Sequence, residues 1–180
     1  MSLCKKELKN ITLPRFCEFP TFELYIDQVL SFVCERLSAF QLGDEPIITQ
    51  AMINNYVKNG VLHPPVKKKY DRTHLAKLIV ICISKRMLPL SYISDAIAVM
   101  SRGYDIEEGY NVFCDEVEYE IKCAVSPDEF PSRAENGENT HKAIILRSLA
   151  SSVARILVLD RLIEQRRRLA LVAKGIGKSH

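Results

Sequence analysis

The sequence predicts an all-α protein whose last and longest helix lies at the C-terminus. Three observations support this prediction. Apolar residues recur at spacings of three and four, no segment alternates as a strand would, and 47% of the 180 residues are hydrophobic, enough for a core. The predicted helices span about 22–40, 49–59, 72–86, 91–100, 105–125 and 140–173.

Capping and helix-breaking residues set the ends of the first predicted helices. Residues 1–20 contain Pro14 and Pro20 and are expected to be irregular, so that Thr21 caps the first helix. Gly43, Asp44 and Pro46 then end it. Thr49 and Gly60 are the expected cap and stop of the second helix, and Asp71 is the expected cap of the third, which buries one side. After the interruption at Pro89, Ser91 is expected to cap the fourth.

The C-terminal half is predicted to contain two long helices joined by a linker. Helix 105–125 combines an apolar stripe with acidic residues on the opposite face, and Gly103 breaks the pattern before it. Residues 126–139 are rich in Pro, Gly and polar side chains, as linkers are. The last helix is about 50 Å long at 1.5 Å per residue. Its expected apolar stripe is Ile145, Leu149, Ile156 and Ile163, widened by Leu146, Val153 and Leu157.

Charge is unevenly distributed along the chain, although the net charge is only +3. Residues 49–86 carry eight Lys and Arg against Asp71 alone, a net charge of +7, which is the electrostatic signature of a phosphate-binding surface. Residues 105–138 carry a net charge of −9, which favours a solvated face or a surface that docks a basic one. No apolar run is long enough to cross a bilayer, and the N-terminus lacks the apolar stretch of a signal peptide, so a cytoplasmic location is expected.

The patterns that carry catalysis or bind metals are not found. The six cysteines form no Cys-x-x-Cys pair, and Cys114 and Cys123, nine apart on one helix, face opposite ways. Cys34 and Cys82 lie in apolar patterns and are expected to act as small hydrophobes. His63 is expected to be a turn residue and His74 a surface residue. We find no glycine-rich phosphate loop, nucleophile elbow or paired-His motif, and therefore expect no enzyme, no cofactor and no metal.

The segment from about 46 to 99 carries the most specific pattern. It reads Ile-Thr-Gln-Ala-Met-Ile-Asn-Asn-Tyr-Val-Lys-Asn-Gly-Val-Leu over residues 48–62, followed by a Pro-Pro-Val-Lys-Lys-Lys-Tyr-Asp run, a Leu-Ala-Lys-Leu helix and Leu-Ser-Tyr-Ile. This order resembles the MerR-type winged helix-turn-helix, which has a short tyrosine-bearing helix, a turn to Gly-Leu-Leu and a proline-bearing wing. Asn54-Asn55-Tyr56 stands where that family has Arg-Tyr-Tyr. The whole chain also resembles a bacterial family known as domain of unknown function 1836.

The resemblance implies a non-catalytic transcriptional regulator that binds double-stranded DNA. Ile53 and Val57 would anchor the short helix to the core, and Met52 is a further candidate anchor. Polar side chains would then face outward, where Asn and Gln can pair with adenine. The expected base contacts are Gln50, Asn54, Asn55 and Lys58. The expected phosphate contacts are Tyr56, Lys67, Lys68, Lys69 and Arg72. Tyr56 packed in the core is an equally open alternative, and Tyr70 is expected to be core.

The predicted organisation is a DNA-binding part over residues 1–104, with its motif core at 46–99, and a helical part over 105–180 that forms a homodimer. The alternative function is a protein-interaction module that reuses the same fold. An inducer-sensing regulator would need a ligand pocket among the helices that follow the motif, and the sequence shows none.

Overall fold

The computed structural model describes residues 2–41, 45–101, 105–130 and 141–176, and over these ranges the fold is all-α, as predicted. Short 3-10 turns occupy Phe16–Glu18 and Ser38–Phe40. Among the described residues, β-pairing is limited to two isolated bridges, Leu24 with Tyr70 and Val66 with Lys69. The α-helices are α1 (Ser2–Lys9), α2 (Ile26–Arg36), α3 (Gln50–Lys58), α4 (Arg72–Ser84), α5 (Leu90–Ser101), α6 (Ile106–Val125) and α7 (His141–Ile176).

Side-chain caps begin α3 and α4 at the residues that the sequence predicts. The Thr49 hydroxyl accepts the Met52 backbone N–H at 3.2 Å, and the Asp71 carboxylate accepts the His74 backbone N–H at 3.0 Å. Each bond satisfies an N–H group that has no partner within its own helix. Gly60 follows α3 with a φ of +71°, the left-handed conformation in which glycine is least strained. Helix α5 begins at Leu90, one residue before the expected cap Ser91.

The N-terminal predictions were partly wrong. Residues 2–9, expected to be irregular, form α1, and the helix expected over 22–40 is shortened to α2 with a 3-10 turn after it. The reason is that Leu24 exchanges backbone hydrogen bonds of 2.9 and 2.8 Å with Tyr70 and is therefore extended. Helix α2 can begin only after Tyr25, whose backbone N–H donates to the Gln28 side chain at 2.9 Å, so Thr21 is not its cap.

Helix α4 is the central element of the core. It contacts α2, α5, α6 and α7, and it is buried on nearly every side, whereas the sequence predicted one buried side. His74, expected at the surface, is only 1% exposed. Among the cysteines, Cys82 on α4 is buried as expected, but Cys34 is exposed on α2. The loop that precedes α4 therefore leads directly into a buried, well-packed helix.

Helices α6 and α7 pack along each other, and α1 packs on both. The buried face of α7 consists of Leu146, Leu149, Ala150, Val153, Ala154, Leu157 and Val158. Ile156 and Ile163, expected in that stripe, are instead 38% and 42% exposed. The parts predicted as residues 1–104 and 105–180 share one hydrophobic core, because buried side chains from both belong to a single cluster.

The acidic face predicted for α6 is only partly solvated, because Glu116 and Glu118 are buried. The Glu118 carboxylate accepts the Leu13 backbone N–H at 2.8 Å and an Arg15 guanidinium N–H at 2.6 Å. These bonds hold the N-terminal segment against α6. Within the described ranges, no helix is both long enough and apolar enough to cross a membrane. The predicted breaks at Gly43, Asp44 and Gly103 and most of the linker, residues 131–139, lie outside the described residues.

Candidate nucleic-acid interface

Helix α3 presents a polar face to solvent because its apolar residues anchor the opposite face. Ile53 is fully buried, Tyr56 is 5% exposed, and Met52 and Val57 are half-buried against the core. The side chains predicted to contact bases are all exposed, as expected for this orientation: Gln50, Asn54, Asn55 and Lys58.

The two asparagines on this face, Asn54 and Asn55, differ in whether they form side-chain hydrogen bonds within the protein. The Asn59 side-chain amide donates to the Asn55 backbone oxygen at 2.8 Å and to the Asn55 Oδ1 atom at 2.9 Å. Asn55 is therefore held by a contact one helical turn away. The Asn54 side chain makes no hydrogen bond with the described residues. Of the two asparagines, Asn54 is therefore the one whose side-chain donor and acceptor are both available.

Tyr56 is not placed to contact phosphate, so that expectation is corrected. Three residues after Ile53, it shares the inward face of α3, and burial raises the pKa of its hydroxyl to about 12. Its backbone oxygen accepts the N–H groups of Val61 and Leu62 at 3.0 and 3.1 Å. Tyr56 thus closes the turn that leads from α3 into the next loop.

That loop ends in a tight hairpin whose tip is formed by Lys67 and Lys68. The Lys69 backbone N–H donates to the Val66 oxygen at 2.9 Å, which closes a four-residue turn. Lys67 has a φ of 49° and Lys68 a φ of 64°, both in the left-handed region. Two consecutive positive φ values are the pattern of a type I′ turn, which strongly prefers Asn-Gly. Both lysine side chains are exposed at the tip.

The third lysine, Lys69, leans back onto the body of the protein. Its Nζ atom lies 5.6 Å from the centroid of the Tyr25 ring, a cation–π contact, and the side chain is half-buried. The next residue, Tyr70, is 4% exposed and pairs with Leu24, which confirms that Tyr70 is a core residue. The hairpin is therefore attached at its base to the segment before α2, while its tip is free.

Arg72 also departs from the expected phosphate contact. One of its guanidinium N–H groups donates to the Phe16 backbone oxygen at 2.6 Å, and the guanidinium carbon lies 4.6 Å from the Phe16 ring centroid. These contacts use the side chain to fasten the N-terminal segment to α4. Arg72 is a structural residue in this fold, whereas Lys58 on α3 and Lys67 and Lys68 at the hairpin tip are exposed.

Three titratable side chains that the sequence analysis did not group meet at the base of the hairpin. Asp71 Oδ1 lies 2.7 Å from His74 Nδ1, and the His63 and His74 ring centroids lie 3.7 Å apart. Burial alone would raise the pKa of the Asp71 carboxyl, but hydrogen bonds from the His74 backbone and ring outweigh it and hold the pKa below its ordinary value. Partial burial, together with the charges of His74 and Lys77, lowers the pKa of His63.

One sequence signal points to this grouping. A histidine three residues after an N-cap aspartate lies within reach of the cap, so Asp71 and His74 were bound to be neighbours once Asp71 capped α4. His63 has no such local signal, because its place beside His74 depends on how the loop folds back.

A small cavity lies where α4, α5 and α6 meet, with Val80, Ile97, Ile106 and Phe113 among its lining residues. Its volume of about 30 Å³ has room for very few water molecules. A binding site for a small-molecule effector is usually ten times larger or more. The cavity therefore gives no support to inducer sensing at this position.

Comparison with known proteins places the chain in a family without assigning it a biochemical activity. No curated protein and no solved structure matches it. A family model described as "Domain of unknown function (DUF1836)" matches residues 14–113, which include α2 to α5, the hairpin and the start of α6. The chain belongs to this family.

Proposed function

We propose that the chain binds double-stranded DNA as a non-catalytic transcriptional regulator, through a MerR-like winged helix-turn-helix built from α2, α3 and the hairpin. Helix α3 enters the major groove with Gln50, Asn54, Asn55 and Lys58 facing the bases, and Lys67 and Lys68 contact phosphates. Lys69, turned toward Tyr25, contributes charge at the edge of this surface.

The observation that carries the proposal is the backbone conformation of Lys67 and Lys68. A residue with a Cβ atom in the left-handed region is strained by about 1 kcal/mol or more, and glycine or asparagine would relieve that strain. Two adjacent lysines at such positions are difficult to explain by folding stability. Their placement is explained if the exposed charges bind something, and phosphate is the ligand that a lysine pair on a protruding turn fits best.

The dimensions and charge of α3 are consistent with this role. Nine residues give a helix about 13 Å long, comparable with the major-groove width of about 12 Å. Its exposed face carries amide and ammonium groups, and its surroundings, residues 49–86, carry a net charge of +7. Exposed amides can pair with adenine edges, and a basic surround supplies affinity without sequence preference.

The first test measures the salt dependence of binding. Duplexes selected from a random pool by the purified protein are titrated at several salt concentrations with the wild type, with K67A/K68A, and with a charge-matched control, K5A/K6A, on the exposed face of α1. Loss of two phosphate contacts makes the negative slope of log K against log salt shallower by about 1.8. The control variant should keep the wild-type slope. An unchanged slope in K67A/K68A would remove the hairpin from the DNA-binding surface.

A second test concerns base reading. Replacement of Asn54 with alanine should relax the preference at one base pair by about 1–3 kcal/mol, because its amide is free to pair with a base edge. N10A replaces an exposed asparagine outside the proposed interface and is the control. An equal loss of affinity for every duplex sequence would show that Asn54 positions the helix and does not read a base.

A protein-interaction module is the second candidate, and a specific observation favours it. Phe22 and Tyr25 are 66% and 55% exposed, and Val66 in the hairpin is 65% exposed. The Leu24–Tyr70 bridge brings the segment that contains both aromatic residues alongside the hairpin base. Absence of duplex binding even at about 50 mM salt, where phosphate contacts are strong, would favour this alternative.

The regulator we propose acts as a homodimer formed by α7. Ile156, Leu159 and Ile163, spaced three and four apart, leave 38%, 53% and 42% of their surfaces exposed on one face of that helix. A second copy of the chain would cover this face in a two-fold arrangement, the commonest symmetry of soluble oligomers. Such a dimer would present two α3 helices to paired half-sites on DNA.

A further inference from the structure

The base of the hairpin brings together three side chains with metal-binding chemistry. His63, Asp71 and His74 each offer one ligand atom, and these atoms lie within 4.8 Å of one another. His63 precedes the two prolines of the loop, and Asp71 and His74 follow the hairpin at the start of α4. None of these residues belongs to α3 or is among the residues proposed to contact DNA, and the existence of the group does not depend on DNA binding.

His74 carries the decisive observation. Its Nδ1 atom lies 2.7 Å from Asp71 Oδ1 and 3.1 Å from the Asp71 backbone nitrogen. Depending on the tautomer, Nδ1 donates to the carboxylate or accepts the backbone N–H. In the tautomer that donates across the shorter contact, Nε2 carries a lone pair that can bind a metal ion. The Nε2 atom is buried and has no hydrogen-bond partner among the described residues. The whole residue is only 1% exposed.

Helix capping explains only part of this arrangement. The Asp71 carboxylate accepts the His74 backbone N–H at 3.0 Å, which accounts for the aspartate. It does not account for a buried imidazole nitrogen without a partner, a situation that costs about 1–3 kcal/mol and is rare in folded proteins. Nor does it account for a second imidazole whose ring centroid lies 3.7 Å from that of His74.

We propose that His63 and His74 bind a divalent transition-metal ion, with zinc or nickel as suitable candidates, and that Asp71 orients His74 for this role. An imidazole that binds a metal through one nitrogen commonly donates its other N–H to a carboxylate, which fixes the ring and increases its basicity. Imidazole is a good ligand for zinc, copper and nickel, and water completes the coordination of an open site. This proposal replaces our sequence-based expectation that the protein binds no metal.

Metal binding at this place would brace the hairpin. His63 and His74 lie on opposite sides of residues 64–73 in the chain, so a shared ion would join the start of the loop to α4. The hairpin tip, with Lys67 and Lys68, would then be held more rigidly against the body of the protein. The expected consequence is a metal-dependent rise in the melting temperature of the whole chain.

The test uses the full-length protein, freed of metal with a chelator and titrated with Zn²⁺ by calorimetry and with Co²⁺ by absorption. One saturable equivalent is expected, without the strong near-ultraviolet band of cobalt–thiolate bonding. H63A should weaken binding at least tenfold, while H141A, at an exposed position on α7, should bind like the wild type. D71N keeps a good helix cap and should lose about 10–100-fold in affinity.

His63 is the preferred ligand to replace, because it lies on a loop and is half-buried, whereas loss of the buried His74 side chain risks unfolding. Melting with and without Zn²⁺ gives an independent readout, in which the metal-induced rise should vanish in H63A. The proposal is overturned if the wild type shows no saturable binding, if H63A binds as tightly as the wild type, or if the cobalt spectrum shows thiolate ligands.

Discussion

Replacing Lys67 and Lys68 with Asn-Gly should stabilise the fold and weaken DNA binding in the same molecule. Both lysines have left-handed backbone conformations, with φ values of 49° and 64°, at the two central positions of the hairpin turn. Asn-Gly is the pair that this turn type favours. The K67N/K68G variant therefore relieves backbone strain, which raises stability, and removes two positive charges, which weakens DNA binding.

The magnitude follows from the conformational cost of each residue. A left-handed residue with a Cβ atom costs about 1–2 kcal/mol, so the lysine pair stores roughly 2 kcal/mol or more. Glycine at position 68 removes the strain of that residue, but it destabilises the fold by about 0.5–1 kcal/mol because the unfolded chain becomes more flexible. Asparagine at position 67 relieves part of the rest. A net gain of about 1 kcal/mol is expected, which corresponds to a melting temperature about 2–4 °C higher for a chain of this size.

K67A/K68A is the matched control, because it removes the same two charges and keeps a Cβ atom at both positions. Thermal melting of the wild type and the two variants measures the effect of backbone strain on stability. A duplex titration over salt concentration measures the effect of the lysine charges on DNA binding. In both variants the negative slope of log K against log salt should become shallower by about 1.8, and only K67N/K68G should melt at a higher temperature than the wild type. If K67N/K68G melts no higher than K67A/K68A, the turn is not strained. If neither variant changes the salt slope, the lysines do not contact phosphate.

The remaining predictions concern residues outside the hairpin tip. R72A should lower the free energy of unfolding by about 1–3 kcal/mol through loss of the hydrogen bond to the Phe16 oxygen. It should leave the salt dependence of DNA binding unchanged. A shallower slope of log K against log salt would show that Arg72 contacts phosphate after all. E118A should lower the free energy of unfolding, measured by chemical denaturation, by about 2–3 kcal/mol, because it leaves the Leu13 N–H and the Arg15 guanidinium without their buried acceptor. A loss below about 0.5 kcal/mol, roughly the effect of an ordinary surface substitution, would contradict this account. L159E/I163E should reduce the mass measured by sedimentation from about twice 20.5 kDa to that of one chain, whereas a wild type that sediments as a monomer would refute the dimer.

Local signals in the sequence predicted the elements that depend on local chemistry. Thr49 and Asp71 cap their helices, and Gly60 ends α3, because each acts through bonds or backbone angles within a few residues. The outward position of Asn54 follows from the spacing of Ile53 and its neighbours on the same helix. For this reason the exposure of the side chains predicted to contact bases could be derived from the sequence, whereas their contact with DNA stays a prediction.

Long-range contacts explain the predictions that were wrong. The apolar spacing from Phe22 onward is compatible with a helix, but pairing of Leu24 with Tyr70 makes that segment extended. Arg72 follows a basic run, yet its partner is the oxygen of Phe16, 56 residues earlier. The acidic residues of α6 were expected to be solvated or to dock a basic surface, and the sequence could not show which, because Arg15 lies 103 residues before its partner Glu118. In each case, the deciding partner is absent from any local window of the sequence.

The loop between α3 and α4 is where this chain departs most from what folding alone would select. Sequences that fold well are locally consistent, and departures concentrate where a site needs them. Here the tip places two lysines in conformations suited to glycine and asparagine, and the base buries an imidazole nitrogen of His74 without a partner. These departures have different physical origins, backbone strain and lost solvation, yet they occur within eight residues of each other. Since neither stabilises the fold, their proximity argues that the loop is kept for what it binds, at the tip and at the base.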